Sequence, residues 1–379
     1  YEMRPLRATS AHKTGRLAEL VCSNSLKSEA EHSAPWLLKR ELRRMDSLLM
    51  RAAGQARAPG GQALTVDREV IAAAVEDALA GRPEIGLRRE ELTRLPEDGI
   101  VIIATGPLTS DALAAEIAQM TGSERLFFYD AISPIVDAET VDLSVAFRAS
   151  RYGKSMDSSG DYLNCPLNRD EYERFIDALR GAESCQAHIP EDRCRYFEGC
   201  LPIEELARRG RDTLRFGFQN SLKFDEQARV LRLIPGLENA RFVRFGQVHR
   251  NTYINSPALL TSTLQLRSEP RIFFAGQISG VEGYVESIAT GMLAGRHAAS
   301  LARGEAVRPA PRETALGSLC HYVSHAAPRG FQPANITFDL LPALDQETGR
   351  RLRHDKRARH AEVCRRADEA LEEYLASHV

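Results

Sequence analysis

Two stretches of this chain repeat one local grammar, and that repetition limits the folds open to it. Residues 100–103 form an unbroken apolar run, the pattern of a buried parallel strand. Ala104-Thr105-Gly106-Pro107 turns it, and residues 110–120 read as a helix with Ser110 as N-cap. Residues 271–276 again form an apolar strand ending in glycine, followed by Gly280, Gly283 and a small-residue helix through Gly291 and Gly295. Strand, glycine turn, helix is the arrangement of a nucleotide-binding α/β layer. Amides at a helix N-terminus suit phosphate or a developing negative charge, and glycine lets a planar group approach the backbone. Either junction alone is ordinary architecture; together they point to a dinucleotide or flavin site. The Gly-x-Gly-x-x-Gly fingerprint of a Rossmann unit does not occur in the sequence.

The chain has 379 residues, enough for two domains or three. Its 43% hydrophobic and 27% charged residues are those of a globular chain, and no apolar run approaches a membrane span. Fifty Lys and Arg nearly balance 52 Asp and Glu, so net charge predicts neither nucleic acid nor membrane as partner. Residues 35–57 read as one basic helix and 66–79 as a second helix stopped by Gly81. The region 125–265 changes character, with short apolar pieces between turn-rich stretches, and reads as a mixed α+β insertion. The division expected is therefore 1–124 and 266–379 as two parts of one α/β domain, with 125–265 inserted. From 346 the tail is helical, with Val363, Ala367, Ala370 and Tyr374 as its apolar stripe.

Seven cysteines, at 22, 165, 185, 194, 200, 320 and 364, are an odd set at irregular spacing. That is not a disulfide framework, and a reducing cytoplasm is the expected compartment. Cys22 lies in the polar segment Val-Cys-Ser-Asn-Ser, and Cys200 stands between glycine and Leu-Pro on a constrained turn. Either could act as a nucleophile where positive charge favours its thiolate, or could be an inert small hydrophobe. Cys185, His188, Cys194 and Cys200 can be assembled into a zinc set, but only one pair is tightly spaced, so no metal is expected. The run His249-Arg-Asn-Thr-Tyr-Ile-Asn255 is dense in hydrogen-bonding groups, fit either for a polar planar ligand or for a capped loop. Glu2 reads equally as an acid that binds a ribose or as an unremarkable terminal acid. Three basic stretches, 39–51, 203–250 and 350–366, suit a phosphate backbone, although each alone is usually a solvated face. The last holds eight Lys and Arg against Asp355 and Glu362.

Longer motifs carry a family resemblance. They are Tyr-Glu-Met-Arg-Pro at 1–5, Glu-Leu-Val-Cys-Ser-Asn-Ser at 19–25, Ala-Thr-Gly-Pro-Leu-Thr-Ser at 104–110 and Phe-Tyr-Asp-Ala-Ile at 128–132. Arg-Ala-Ser-Arg-Tyr-Gly-Lys at 148–154, Tyr-Leu-Asn-Cys-Pro at 162–166 and Phe-Glu-Gly-Cys-Leu-Pro-Ile-Glu at 197–204 continue the series. His-Arg-Asn-Thr-Tyr-Ile-Asn-Ser-Pro at 249–257 and Ala-Gly-Gln-Ile-Ser-Gly-Val-Glu-Gly-Tyr-Val-Glu-Ser at 275–287 complete it. In order and over nearly the whole chain, they resemble the bacterial folate- and FAD-dependent tRNA (uracil-5-)-methyltransferases, the TrmFO family. The family opens with a strand and a Gly-rich turn ahead of the first motif. The chain is thus expected to begin inside a Rossmann-like FAD-binding domain whose first βα unit is missing. The family also follows Leu-Arg-Phe-Gly with Pro-Met-Lys-Pro-Val-Gly-Leu and a strand, whereas here Gly217 runs directly into Phe218-Gln219.

The resemblance implies a methyl group added to C5 of a uridine in the tRNA T-loop. Methylenetetrahydrofolate gives the carbon, and FAD reduced by NAD(P)H gives electrons. Uracil C5 is a poor nucleophile; thiolate addition at C6 makes it enolate-like, a base takes the C5 proton, and hydride reduces the exocyclic methylene. By motif, Cys200 is the nucleophile and Cys22 the second functional thiol. Glu2 would bind the FAD ribose, Ala104, Thr105 and Gly106 would border the cofactor, and Gly276, Gln277, Gly280, Glu282, Gly283 and Tyr284 would line its flavin end. His249, Arg250 and Asn251 are candidates for folate or substrate. Arg148, Arg151, Lys154 and the basic tail are candidates for tRNA phosphates. No protein partner is evident and no membrane is expected. The same chemistry on a ribosomal RNA uridine, or a flavin oxidoreductase without RNA, are the competing readings.

Overall fold

The stretch that reads as one basic helix over 35–57 folds as two helices. In the computed structural model, which describes residues 1–9, 11–122, 126–150, 160–184, 201–210 and 218–377, strand β1 (Ser25–Ser28) leads into α1 (Ala34–Arg44), and α2 (Leu48–Gln55) follows after a break. Asp46 makes the break by taking a left-handed φ of 58°, and the Ser47 hydroxyl accepts the Met50 amide to start α2. The basic residues of α1 do not form an open cationic face. Lys39 is buried; its ammonium donates to the carbonyls of Leu26 and Lys27 and pairs with Glu29 at 2.7 Å. Arg43 joins the same carboxylate, while Arg40 and Arg44 pair with Asp368, and Arg44 also with Glu372. This stretch holds the fold together and is not free for RNA.

Strands β2 (Arg57–Ala58) and β3 (Ala63–Val66) complete an antiparallel sheet in the order β1-β3-β2. Helix α3 (Arg68–Ala80) starts two residues later than the sequence suggests, because Val66 pairs in β3 and Asp67 caps the helix. Strand β4 (Val101–Ile103) and α4 (Asp111–Thr121) form the first junction, capped by Ser110 and closed by left-handed Gly122. The middle region carries β5 (Leu126–Ala131), β6 (Ile135–Val136), β7 (Phe147–Ala149) and β8 (Tyr162–Asn164), then α5 (Arg169–Gly181), α6 (Ile203–Arg209) and α7 (Phe224–Leu231). Strands β9 (Phe242–Arg244) and β10 (Val248–Tyr253) follow. Only short pairings join these strands, β10 with β5, β6 with β9 and β7 with β8. The chain then forms α8 (Ser256–Leu259), β11 (Gln265–Leu266), β12 (Glu269–Phe274), α9 (Tyr284–Ala302), α10 (Ala315–His325), α11 (Gln346–Arg351) and α12 (Lys356–Ala376).

The two junctions meet in one sheet of order β11-β12-β4. Strand β12 runs parallel to β4, with Ile272 opposite Val101 and Phe274 opposite Ile103. Strand β4 is parallel as its apolar run suggests, but it is not buried on both faces: it lies at the sheet edge, and Ile102 is 40% exposed while Ile103 is buried. Three large groups of buried side chains, with a small fourth of Tyr253 and Phe331, form the core among the described residues. The largest joins residues 20–75 to residues 264–374, so the two ends of the chain share it. A second, around Phe175, Ile176, Leu179, Ile203, Leu222 and Val230, lies wholly within the middle region. The third packs α4 against β12 through Leu113, Ile117 and Phe274.

Helix α10, which the sequence does not announce, is tied down by Glu41 of α1. Its fully buried carboxylate accepts the amides of Ala315 and Leu316, at 2.8 and 2.9 Å, in the first turn of α10. Burial pushes the Glu41 carboxyl up to about 8; the two amides oppose this, and Asp368 adds to it. A carboxyl raised from 4.5 binds its proton more tightly in the folded chain. The stability it contributes is complete below pH 4.5 and is lost as pH rises through about 8. The melting temperature is therefore expected to fall over that window. Glu41→Gln, which stays neutral, should flatten the fall; a wild-type slope in the variant would rule Glu41 out as its source.

Candidate active site

The glycine turns after β4 and β12 lie against each other. The Ala275 amide donates to the Ile103 carbonyl at 2.9 Å, fixing the start of the second turn to the end of the first strand. Gly106 and Gly276 both take left-handed φ, 66° and 73°. A Cβ at Gly106 would meet nothing within 4 Å, and one at Gly276 would touch only Ser287, at 3.9 Å. Bare backbone therefore faces open space at both turns. Ala104 and Thr105 beside Gly106 are exposed, with the Thr105 and Thr109 hydroxyls hydrogen-bonded at 2.6 Å.

Past Gly276 the chain makes a tight turn over Gln277–Ser279 before α9 begins. The Gly276 amide donates to Thr290 Oγ1, Ser279 Oγ donates to the Gly276 carbonyl, and Gln277 Nε2 donates to Glu282 at 2.6 Å. Gly280 has no room for a Cβ, which would fall 2.5 Å from the Phe331 ring. Gly283, at φ 109°, begins α9, and a Cβ there would strike Glu286 Oε2 at 2.6 Å and Lys27 Nζ at 2.9 Å. Glu286 is buried; it pairs with Lys27 at 2.5 Å and accepts the Ile336 amide. The N-terminus of this 19-residue helix, with its positive dipole end, is thus held by an ion pair whose carboxylate is buried.

The polar run 249–255 lies mostly on β10, a strand, so the capped loop, one of its two readings, does not form there. Its backbone laces the two turns together: the Thr252 amide donates to Pro107 O at 2.9 Å, and the Ile254 amide to Ile278 O at 3.0 Å. Asn251 is buried, and the buried Tyr253 hydroxyl donates to the Phe331 carbonyl. Asn255 Oδ1 is buried with no hydrogen-bond partner among the described residues. His249 and Arg250 pair through their backbones opposite Asp130 and Tyr129.

Cys22 reaches this place from the other end of the chain. Its amide donates to the Tyr284 hydroxyl at 2.9 Å, which ties the half-buried Cys22 to the side chain of the first residue of α9. Arg68 Nη2 donates to the Cys22 carbonyl at 2.9 Å, and Arg244 Nη1 to the Val21 carbonyl at 2.8 Å. Two guanidiniums thus flank the segment carrying the thiol, a setting suited to negative charge on sulfur. Burial, and after it the neighbouring Cys22, pushes the Tyr284 phenol well up from its ordinary value. Burial and the charge of Arg68 lower Arg244, against the opposing pull of Cys22 and Tyr284, and its Nε is buried without a partner among the described residues. Neither arginine stands out in the sequence: one opens a helix and the other closes a three-residue strand.

Other candidates are placed differently. Glu2 takes up Arg4 through its backbone amide, Nε and Nη2, and its own amide donates to Arg88 O. Burial would raise the Glu2 carboxyl, but Arg4 outweighs it and holds the group below the usual range. Arg4 also reaches Glu19, so Glu2 belongs to a partly buried ion cluster. Arg148 is exposed on the β7–β8 hairpin. Cys200, Arg151, Lys154 and the zinc candidates Cys185, His188 and Cys194 lie outside the described residues. No cluster of three or more metal-binding side chains occurs among the described residues. No helix among them is long and apolar enough to cross a membrane.

The fold and the paired turns define the class. The family model described as "Glucose inhibited division protein A" matches residues 6–216 and 216–306, and its two blocks meet where Leu-Arg-Phe-Gly runs into Phe218. Two solved crystal forms of Aquifex aeolicus GidA superpose on 94% and 93% of the chain, with TM-scores of 0.64 and 0.62. They cover 67% and 72% of those chains, and at 16% identity they establish the Rossmann-like α/β fold alone. Closer relatives carry one name, methylenetetrahydrofolate--tRNA-(uracil-5-)-methyltransferase TrmFO. That of Solibacter usitatus is 62% identical across 99% of this chain and 92% of its own length, and that of Koribacter versatilis is 52% identical across 100% and 92%. The Symbiobacterium thermophilum protein is 48% identical at the same coverage. The chain belongs to the TrmFO family.

Proposed function

We propose that this chain transfers a one-carbon unit from methylenetetrahydrofolate to C5 of a T-loop uridine in tRNA, giving 5-methyluridine, in the cytoplasm. The observation that carries the reading is 62% identity, over 99% of the chain, to a protein named for that reaction. FAD is the redox cofactor of the proposal, and it supplies hydride after reduction by NAD(P)H. Ala104, Thr105 and Gly106 would border it, and Gly276, Gln277, Gly280, Glu282, Gly283 and Tyr284 would hold its flavin end. The residues fit such a group, because both turns offer bare backbone to open space and Asn255 Oδ1 stands unsatisfied beside them. The α9 N-terminus favours negative charge at that point. Glu2 would reach the cofactor ribose while still engaged with Arg4. Residues 1–124 and 266–379 would form the cofactor domain and 125–265 the RNA-facing insertion.

The protein's own chemistry falls to two thiols. The Cys200 thiolate would add to uracil C6, placing the electron pair on C5, which bonds to the folate-borne methylene. The C5 proton then passes to a base, for which Cys22 is proposed, since Arg68 and Arg244 flank its segment; its electron pair forms the exocyclic methylene as the carbon–nitrogen bond breaks and tetrahydrofolate leaves. Release of Cys200 restores the C5–C6 double bond after hydride has reached the methylene carbon. His249, Arg250 and Asn251 would position folate or the base, and Arg148, Arg151 and Lys154 would meet phosphates. The target uridine must leave its stacked position, at about a few kcal/mol. The test is methyl transfer to unmodified tRNA with methylenetetrahydrofolate, FAD and NADPH. Product at one T-loop uridine, absent with Cys200→Ala, is the expected result. Flavin reduction with no product on tRNA would instead support a ribosomal RNA target or a simple oxidoreductase.

A further inference from the structure

Among the described residues, some basic side chains are ion-paired with acids and others make no ion pair, although Arg365, with Arg351 close enough to help, holds the Glu362 carboxyl down. Arg40, Arg43 and Arg44 of α1 are ion-paired, as are Lys223 with Glu183, Arg229 with Glu226, Arg241 with Asp137 and Arg303 with Glu305. In the basic tail, Arg365 is held between Glu362 and Glu369, and Arg366 donates to the carbonyls of Ala343 and Pro342. The remaining six cations of the tail, Arg350, Arg351, Arg353, Lys356, Arg357 and Arg359, are all exposed. None of their side chains makes an ion pair or hydrogen bond among the described residues. The only carboxylate within 350–359 is Asp355, and it is spent capping the Ala358 amide.

Their position works against local stability. Lys356, Arg357 and Arg359 open α12, whose first turn holds no acid, so three cations crowd the positive end of a 21-residue helix. The favoured place for cations is the other end. α3, α4, α5, α6, α7, α9 and α11 each put Asp or Glu in the first turn, and α1, α2, α8 and α10 put no acid there but no cation either; among the described helices α12 alone opens on cations without an acid. A local rule broken with no partner in the fold is expected where a function needs it. α12 packs on α1, and α1 on α9, so the patch is built on the same body as the glycine turns.

We infer that the α11–α12 junction, Arg350 to Arg359, is a docking surface for the phosphate backbone of the substrate RNA, away from the reacting base. This rests on the reading that tRNA is the substrate. Sequence-independent phosphate contacts hold register and orientation, and each one adds about 0.7–0.9 to the slope of log affinity against log salt.

The triple variant Lys356→Gln, Arg357→Gln, Arg359→Gln tests it, with binding of unmodified tRNA measured over a range of potassium chloride concentrations. The salt slope is expected to shrink by about two to three, with about tenfold or more weaker binding at low salt. Because the variant relieves repulsion at the helix terminus, its melting temperature should hold or rise. A merely structural role predicts the opposite. Lys356→Arg, Arg357→Lys, Arg359→Lys should keep the wild-type slope. Wild-type binding to tRNA with an unchanged slope in the triple Gln variant overturns the inference and leaves the tRNA reading standing. No wild-type binding to tRNA overturns both. Equal slope loss on anionic lipid vesicles, without loss on tRNA, reassigns the patch to a membrane surface.

Discussion

Replacing Cys22 with alanine is expected to lower methyl transfer to tRNA by about 10²-fold or more, the usual worth of a positioned proton-transfer group. The fold should survive. Three hydrogen bonds that hold this segment go to its backbone: the Cys22 amide to Tyr284, the Cys22 carbonyl to Arg68 and the Val21 carbonyl to Arg244. Removing the sulfur leaves those three hydrogen bonds in place, so flavin content and melting temperature should stay close to wild type. The measurement is initial rate of 5-methyluridine formation at saturating tRNA, beside the flavin spectrum of the purified variant. A rate within threefold of wild type would take the base role away from Cys22. Loss of flavin along with rate would make the thiol a packing group beneath the cofactor. Arg244→Leu sharpens the contrast, because it removes the ties to Val21 and Ala11 and should disturb the Cys22 segment itself.

What the sequence made legible was local. An apolar run, a glycine turn and a capped helix occupy about twenty neighbouring residues, so both junctions were readable, and Ser110 caps α4 as expected. The break between α1 and α2 was not, because a non-glycine residue at positive φ, Asp46, leaves no compositional mark. The burial of Lys39 depends on carbonyls of Leu26 and Lys27 that only the fold brings beneath it. Cys22 and Tyr284 are 262 residues apart, and motif content alone gave no reason to join them. Apolar Ile102 faces outward because β4 is an edge strand, a property of sheet order and not of the run. In the run 249–255, composition drew attention to the polar side chains. It missed that the backbone amides of Thr252 and Ile254, not only the polar side chains, bind the two turns. The basic tail was counted as one patch, whereas ion pairing splits it at Arg359.

Lys27→Met is expected to lower stability by about 3–5 kcal/mol, the cost of leaving a buried charge without its partner. Glu286 is buried, and Lys27 Nζ lies 2.5 Å from its Oε1, with a second bond of 2.5 Å to Asn335 Oδ1. Glu286 Oε2 has no hydrogen-bond partner among the described residues, so the carboxylate has little to fall back on. Lys27 itself sits at φ 62°, a conformation unfavourable for a non-glycine residue that the ion pair helps to hold. The melting temperature should drop by roughly 10 °C, at about 2–4 °C per kcal/mol for a larger domain. Lys27→Met with Glu286→Gln removes both charges, and the double variant should recover most of the loss, since the penalty lies in the orphaned carboxylate and not in the missing attraction. The same pair fixes the first turn of α9, directly behind Gly283, whose missing Cβ leaves room for both side chains. Flavin affinity should therefore fall with Lys27→Met and return with the double variant. Additive losses in the double variant would mean that Lys27 acts through Asn335 and the β1 backbone, and that the ion pair is incidental to holding the helix terminus.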